Sequence, residues 1–261
     1  MKENSLFAYR GKSSTRADFV LAACSFVGLI GFWFSASEFG LVSERFLPDP
    51  WTVLVALYNM IMERGFLEDI WISIARVWGA FLASAIMAIP LGIWMSSYRI
   101  VGMVTEPIVD FIRYLPVPAL VPLLIIWFGI GESSKIAVLW MGTFFQLVLL
   151  ISDDAKRVPS EFIETGLTVG AKPRQITWHI VFRSMLPNIV DNLRITLGWC
   201  WTYLIIAEIV ASNAGIGHAI WSARRFVKTP EVMAGILTVG IIGLLTDQAI
   251  RFAHRRWFRY L

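Results

Sequence analysis

Six long apolar stretches, separated by shorter polar segments, dominate the sequence. They lie at about residues 19–36, 70–95, 103–129, 135–152, 188–212 and 232–250. About 20 apolar residues are enough for one α-helix to cross the hydrocarbon core of a bilayer. The pattern therefore predicts an all-α, polytopic membrane protein with about six transmembrane helices.

Composition supports this class of protein. Of the 261 residues, 57% are hydrophobic and 16% are charged, which excludes an ordinary soluble, disordered or collagen-like chain. The formal net charge is +4, but the basic residues lie between the apolar stretches, so membrane topology explains it better than nucleic-acid binding. Cys24 and Cys200 each lie inside an apolar segment, and we interpret both as small packing residues.

The first apolar stretch follows a polar, basic segment at residues 1–18. Ser35, Ala36 and Ser37 resemble a cleavage site, so a removed signal peptide is the alternative to a retained span. The stretch is longer than the apolar core of a signal peptide, about 7–15 residues, and this favours a retained span. A short amphipathic helix at the membrane interface is predicted for residues 51–62.

The third stretch is interrupted by Pro116, Pro118 and Pro122. Proline removes a backbone donor, and a broken helix at membrane depth is tolerated only where protein or water satisfies the freed groups. The sequence therefore predicts that this span lies inside the bundle, next to a cavity or a partner helix.

Lysine and arginine residues predict the orientation of the chain. With the N-terminus in the cytoplasm, most loop Lys and Arg residues fall on the cytoplasmic side. We therefore expect a cytoplasmic tail at 1–18, a membrane domain at 19–252 and a cytoplasmic tail at 253–261.

The longest connection on the cytoplasmic side is residues 153–187. It predicts one short amphipathic helix at 160–168, closed by Gly170, and a second at 175–185 that runs towards Pro187. Physics alone leaves two interpretations open: a docking surface for a partner, or a pair of helices that lie on lipid.

A family resemblance bears on this choice. Glu164, Gly170 and Ile180 match the pattern E-A-A-x3-G-x9-I-x-L-P, the motif of the cytoplasmic loop in permease subunits of bacterial ATP-binding-cassette (ABC) importers. Thr165 and Gly166 replace its two alanines, and residues 182–183 replace its Leu-Pro. Further segments resemble the taurine, aliphatic-sulfonate, nitrate and bicarbonate branch: 46–51, 113–118, 127–135, 207–208 and 215–217.

The resemblance implies a type I ABC importer permease fold in a bacterial inner membrane. It also implies two cytosolic ABC ATPases that bind ATP and Mg, an extracytoplasmic solute-binding protein and a second copy of this chain. In this family the short loop helix sits in a groove of the ATPase, and Glu164 would be its anchoring carboxylate. Gly170 would be the turn that lets the two helices approach. The implied ATPase-coupling residues are Glu164, Thr165, Gly166, Gly170 and Ala171.

Charged residues within the spans are candidates for the translocation path, because ionisable groups are costly there. Asp110 and Arg113 share a helix face and can pair, and Arg113 could also meet an oxyanion with its planar donor fork. Glu208 has no cation close in sequence, so its partner is Arg76, the other subunit or the solute itself. The candidates are Arg113, Pro116, Pro118 and Glu208.

No catalytic or metal-binding motif is visible in the sequence. Residues 11–14 resemble the end of a phosphate-binding loop, but Leu6 stands where its first glycine is required. We expect neither an enzyme nor a bound cofactor, and no metal site. A secondary transporter or channel and a membrane enzyme are the rival functions, but the former would be expected to show inverted repeats. The favoured function is ATP-driven import of a small anion by alternating access, with most selectivity in the binding protein.

Overall fold

The computed structural model describes residues 15–258, and this part of the chain is built of helices joined by short connections. Residues 11–14 and the rest of the N-terminal tail before Thr15, together with residues 259–261, lie outside the described residues. The first seven helices are α1 (Thr15–Glu38), α2 (Pro50–Glu63), α3 (Phe66–Ser97), α4 (Arg99–Arg113), α5 (Val117–Phe128), α6 (Glu132–Lys156) and α7 (Ser160–Thr168). Helix α8 covers 173–211 and is followed by α9 (Ile216–Arg225) and α10 (Thr229–Trp257).

The expected all-α membrane architecture is confirmed. Within residues 15–258, five helices are long and apolar enough to cross a membrane: α1, α3, α6, α8 and α10. Helices α4 and α5 together qualify as a sixth span, but they meet at 103°. The predicted third span is thus a bent pair, broken at residues 114–116.

Proline placement explains where this span breaks. Pro116 is the N-cap of α5 and Pro118 lies in its first turn, where a missing amide costs no hydrogen bond. Leu115 precedes Pro116, and the residue before a proline is pushed away from helical dihedrals. Pro122 lies inside α5 without ending it.

Helices α3, α6 and α8 pack together as the core of the bundle. The backbones of α3 and α6 come into close contact at Gly92, where a Cβ atom would lie 2.7 Å from the Val148 carbonyl oxygen and 2.8 Å from Ile151 Cβ. Nearer the N-terminal end of α3, the buried hydroxyls of Ser84 and Thr143 form a hydrogen bond of 2.8 Å. Small residues that let helices approach closely are a common basis of packing in membranes.

The predicted second loop helix at 175–185 is wrong as a separate element. Helix α8 runs through it without interruption, as α-helical Pro173–Gln175, π-helical Ile176–Val181 and α-helical Phe182–Ala211. Pro187 lies inside this helix and does not end it. Met185 and Ile189, on either side of the proline, are buried in the core against α3 and α6, and this packing offsets the lost hydrogen bond.

Helices α2, α9 and α10 pack at the end of the bundle opposite α7. Helix α2 confirms the helix predicted at residues 51–62, whereas α9 was not predicted. Asp49 caps α2 by accepting hydrogen bonds from the hydroxyl and the amide of Thr52, and these bonds lower the pKa of its carboxyl. Arg64, just after α2, pairs with Glu231 of α10 at 2.7 Å.

The contact at Gly92 predicts a stability difference between two glycines of α3. Gly92→Ala should lower the free energy of unfolding by about 1–3 kcal/mol, because the added methyl meets a rigid carbonyl and a Cβ of α6. Gly79→Ala, where no atom lies within 4 Å, should be neutral or stabilising by up to about 1 kcal/mol. Thermal unfolding in detergent measures both, and equal midpoints would contradict the close contact.

Candidate functional site

Helix α7 is a short exposed helix between the two long helices α6 and α8. It ends in a Schellman motif, with Gly170 in the left-handed region at φ +80. The Ala171 amide donates to the Gly166 carbonyl at 2.9 Å, and the Gly170 amide donates to the Leu167 carbonyl at 2.9 Å. These bonds fix the point at which the chain leaves α7 and turns into α8.

Gly166, not Gly170, permits the close approach of α7 to α8. A Cβ atom on Gly166 would lie 2.6 Å from Ile180 Cδ1, whereas one on Gly170 would have no atom within 4 Å. Gly170 supplies the turn between the two helices, and Gly166 supplies the close contact. Gly166 stands at the second alanine of the motif, so a small residue there is the signal in the sequence.

The face of α7 that points away from α8 is exposed and carries carboxylates. Thr165 and Thr168 turn their hydroxyls back to their own helix, at 2.7 Å from the Glu161 carbonyl and 2.8 Å from the Glu164 carbonyl. Within the described part of the chain, the carboxylates of Glu161 and Glu164 make no ion pair, and the apolar side chains of Phe162 and Leu167 are more than half exposed. The surface offers both charge and apolar area to a partner.

A cavity of about 350 Å³, called the central cavity below, lies between the α4–α5 elbow, α6 and α8. Arg113 lines it, whereas Pro116 and Pro118 do not, although they are next in sequence to the lining residues Leu115 and Val117. The expected pair is confirmed, because Arg113 Nε lies 3.2 Å from Asp110 Oδ1. The residues that line the cavity are Ile112, Arg113, Leu115, Val117, Leu120, Met141, Gly142, Phe145, Gln146, Trp199, Thr202 and Tyr203.

Glu208 lies outside this cavity, in a buried ion cluster at the α9 end of the bundle. Its carboxylate accepts hydrogen bonds from Arg76 Nη1, the Ser73 hydroxyl and the Gly217 amide, each at 2.7 Å. Of the partners considered for Glu208, the structure thus selects Arg76. The same guanidinium donates two hydrogen bonds to the Glu132 carboxylate, both of 2.6 Å. Lys135 Nζ also donates to this carboxylate, at 2.8 Å.

The cluster also fixes the turn between α8 and α9. Arg76 Nη1 donates to the Ala214 carbonyl at 2.8 Å, and the Gly215 amide donates to Asp69 Oδ1 at 2.6 Å. A Cβ on Gly215 or Gly217 would collide with Glu208, so both glycines make room for its carboxylate. The sequence did not identify Glu132 or Asp69, because both are far along the chain from Glu208.

Several other charged residues of the spans form ion pairs near the α7 end. Glu106 pairs with Lys156 at 3.0 Å instead of with the neighbouring charges of α4. Arg194 lies 3.8 Å from Asp191 and 3.1 Å from Asp247. Asp247 and Arg251 pair at 3.2 Å.

Comparison with solved structures identifies the class of the fold. A chain of an inward-facing MetNI methionine ABC transporter structure matches with a TM-score of 0.59 and 20% identity, covering 84% of this chain and 99% of that one. A bacterial ABC transporter that imports the acidic polysaccharide alginate matches with a TM-score of 0.62 and 13% identity, over 92% and 96% of the two chains. The chain has the fold of an ABC importer permease subunit.

Sequence comparison then places the chain in a family. Residues 88–259 match the family described as binding-protein-dependent transport system inner membrane component, and the chain belongs to this family. The taurine transport system permease protein TauC of Escherichia coli is 34% identical over 87% of this chain and 85% of its own length. The putative aliphatic sulfonates permease SsuC of Bacillus subtilis is 30% identical over 89% and 84%, and the nitrate import permease NrtB of Synechocystis is 29% identical over 79% and 78%.

The buried cluster predicts a large stability effect at Glu208. Glu208→Gln should destabilise the chain by about 3–5 kcal/mol, because it removes one anion from a buried ion pair and leaves a donor facing Arg76. The control is Glu106→Gln, which removes an exposed pair and should cost less than about 1 kcal/mol. Thermal unfolding in detergent compares the two, and similar effects would rule out the structural role of the cluster.

Proposed function

We propose that this permease subunit imports a small anion of the sulfonate, nitrate or bicarbonate type, driven by ATP hydrolysis on separate subunits. Two observations support the substrate class. The relatives TauC, SsuC and NrtB are named for taurine, aliphatic sulfonates and nitrate. Arg113, whose side chain is partly exposed, lines the central cavity between α4, α6 and α8.

Helix α7 is the proposed docking element for an ATPase. One observation carries this proposal: the outer face of α7 is exposed, while the helix itself is firmly attached to the bundle. Gly166 packs against α8, and Gly170 ends α7. Ile163 and Ala171 extend the attachment into the core between α6 and α8. Glu164 and Thr165 lie on the outer face, so they are the residues proposed to meet the partner.

Coupling would follow from the position of α7 between α6 and α8. Both helices contribute to the walls of the central cavity, so a displacement of α7 would shift both walls together. Rigid-body rocking of packed helices is a common route by which one movement opens a path and closes another. In this proposal ATP and Mg bind only to the ATPases, and this chain converts their closure into alternating access.

The proposed assembly has two ATPases at the α7 end, a binding protein at the α9 end and a second copy of this chain. The α7 end would be cytoplasmic, as the distribution of basic residues predicts, and both termini would lie on that side. Exposed apolar side chains on α4 and α5, among them Phe111, Ile126 and Trp127, offer a surface to the second copy. Arg113, Pro116 and Pro118 would then lie beside the translocation path, with Glu208 in its structural frame.

Charge reversal on α7 tests the coupling role. In cells that produce the chain with its partner ATPase and binding protein, Glu164→Arg should reduce uptake of taurine, ethanesulfonate and nitrate at least tenfold. The physical reason is that a cation replaces the carboxylate on the docking face; about tenfold corresponds to about 1.4 kcal/mol. The amount of chain in the membrane fraction should not change.

The matched control is Asp153→Arg, a charge reversal at an exposed carboxylate of α6 that lies outside α7 and away from the α9 end. It should leave uptake of each anion within twofold of the parent. Full uptake by Glu164→Arg would reject α7 as the coupling element, and equal losses in both variants would point to a general effect of charge.

A further inference from the structure

The central cavity has an unusual distribution of charge. Among the residues that line it, one carries a formal charge, Arg113, and no carboxylate is present. Placing an ionisable side chain at membrane depth costs free energy. An arginine that lines a cavity there is therefore a candidate ligand-binding residue. The cavity therefore presents a positive field to whatever enters it.

The neighbours of Arg113 position its guanidinium but do not occupy all of its hydrogen-bond donors. Its Nε lies 3.2 Å from Asp110, and its Nη2 donates to the Tyr114 hydroxyl at 2.9 Å. Arg113 lines the cavity and Asp110 does not, so the cavity wall carries the positive member of this ion pair. Among the described contacts Nη1 has no partner, and a guanidinium fork is suited to planar oxyanions.

The opposite walls supply uncharged polar groups and apolar surface. Gln146 of α6 and Thr202 and Tyr203 of α8 contribute polar groups, while Met141 and Phe145 contribute apolar area. A volume of about 350 Å³ is at the small end of the range for ligand sites, about 300–1,000 Å³. The combination suits one oxyanion group on a short apolar stem.

The wall near Tyr203 depends on one glycine. A Cβ atom on Gly142 would lie 2.6 Å from Tyr203 Cε2, so only glycine lets the ring come this close to the backbone of α6. The contact holds the tyrosine ring at the edge of the cavity, so the cavity is a shaped feature of the packed helices α6 and α8.

We infer that the membrane subunit itself contains an anion-binding site in this cavity, with Arg113 as the anion-holding residue and Gln146, Thr202 and Tyr203 as its polar partners. The ligand class is a monovalent oxyanion with a short apolar stem, such as an alkanesulfonate. The inference rests on the proposed function and adds charge selection by the permease to the selection expected from the binding protein.

Cysteine modification tests the site without ATP. The full-length chain is produced with its partner subunits in permeabilised membranes, with Cys24→Ser and Cys200→Ala as the background and Thr202→Cys as the reporter. Methanethiosulfonate reagents that carry either an ethylsulfonate or an ethyltrimethylammonium group then probe the same thiol. The ratio of anionic to cationic modification rates should fall about tenfold on Arg113→Gln, and ethanesulfonate should slow the anionic reagent only when Arg113 is present.

Two further variants sharpen the test. Arg113→Lys keeps the charge but not the fork, so it should retain most of the rate ratio and lose most of the protection by ethanesulfonate. Ser97→Cys, at the exposed end of α3, is the control reporter, because α4 separates it from Arg113 by about 22 Å at about 1.5 Å per residue. Its rate ratio should not respond to Arg113→Gln.

Three results would overturn the inference: an unreactive Thr202→Cys, a rate ratio at position 202 that is independent of Arg113, or no protection by ethanesulfonate. None of them bears on coupling, because the assay requires no ATP hydrolysis. Conversely, full uptake by Glu164→Arg would reject the coupling role of α7 and leave the anion site standing.

Discussion

The guanidinium of Arg76 is the interaction on which the α9 end of the bundle depends. It joins α3 to the first turn of α6, to Glu208 of α8 and to the carbonyl of Ala214 before α9. Losing one member of such a buried cluster leaves another charge without a partner, which is far more costly than losing a surface pair. The same three long helices are held near α7 largely by apolar packing, which is less directional. Directional ionic contacts therefore fix the helices at the α9 end, whereas less directional apolar contacts hold them at the α7 end, where we propose that the ATPases act.

Much of the fold could be predicted from apolar length and proline position. Both signals are local, and they located the long helices and the break before Pro116. The end of the loop could not be predicted in the same way, because Pro187 is a strong local signal to stop a helix. The packing of Met185 and Ile189 against α3 and α6 overrides it, and such contacts between distant segments leave no periodic trace in one sequence.

The candidate site shows the same division. Glu164 and Gly170 could be found because the motif lies within one short stretch of the sequence. Distinguishing the roles of Gly166 and Gly170 required the backbone angles and the position of Ile180. The need of Glu208 for a cation was visible in the sequence, yet choosing Arg76 required the fold, since 132 positions separate the two residues. Gln146, Thr202 and Tyr203 were missed, because uncharged residues gain meaning only when the cavity brings them together.

The elbow between α4 and α5 also constrains how the protein is made. Its arms have 15 and 12 residues, so at about 1.5 Å per residue they measure about 22 and 18 Å, less than the roughly 30 Å of the hydrocarbon core. Neither arm can cross the bilayer alone, and two helix ends that meet at membrane depth are costly in lipid. Stable insertion of this segment must therefore wait for α6 and α8, which follow it during synthesis and shield the bend. Biogenesis of this protein is thus a cooperative process, in which an early segment settles only after later ones have arrived.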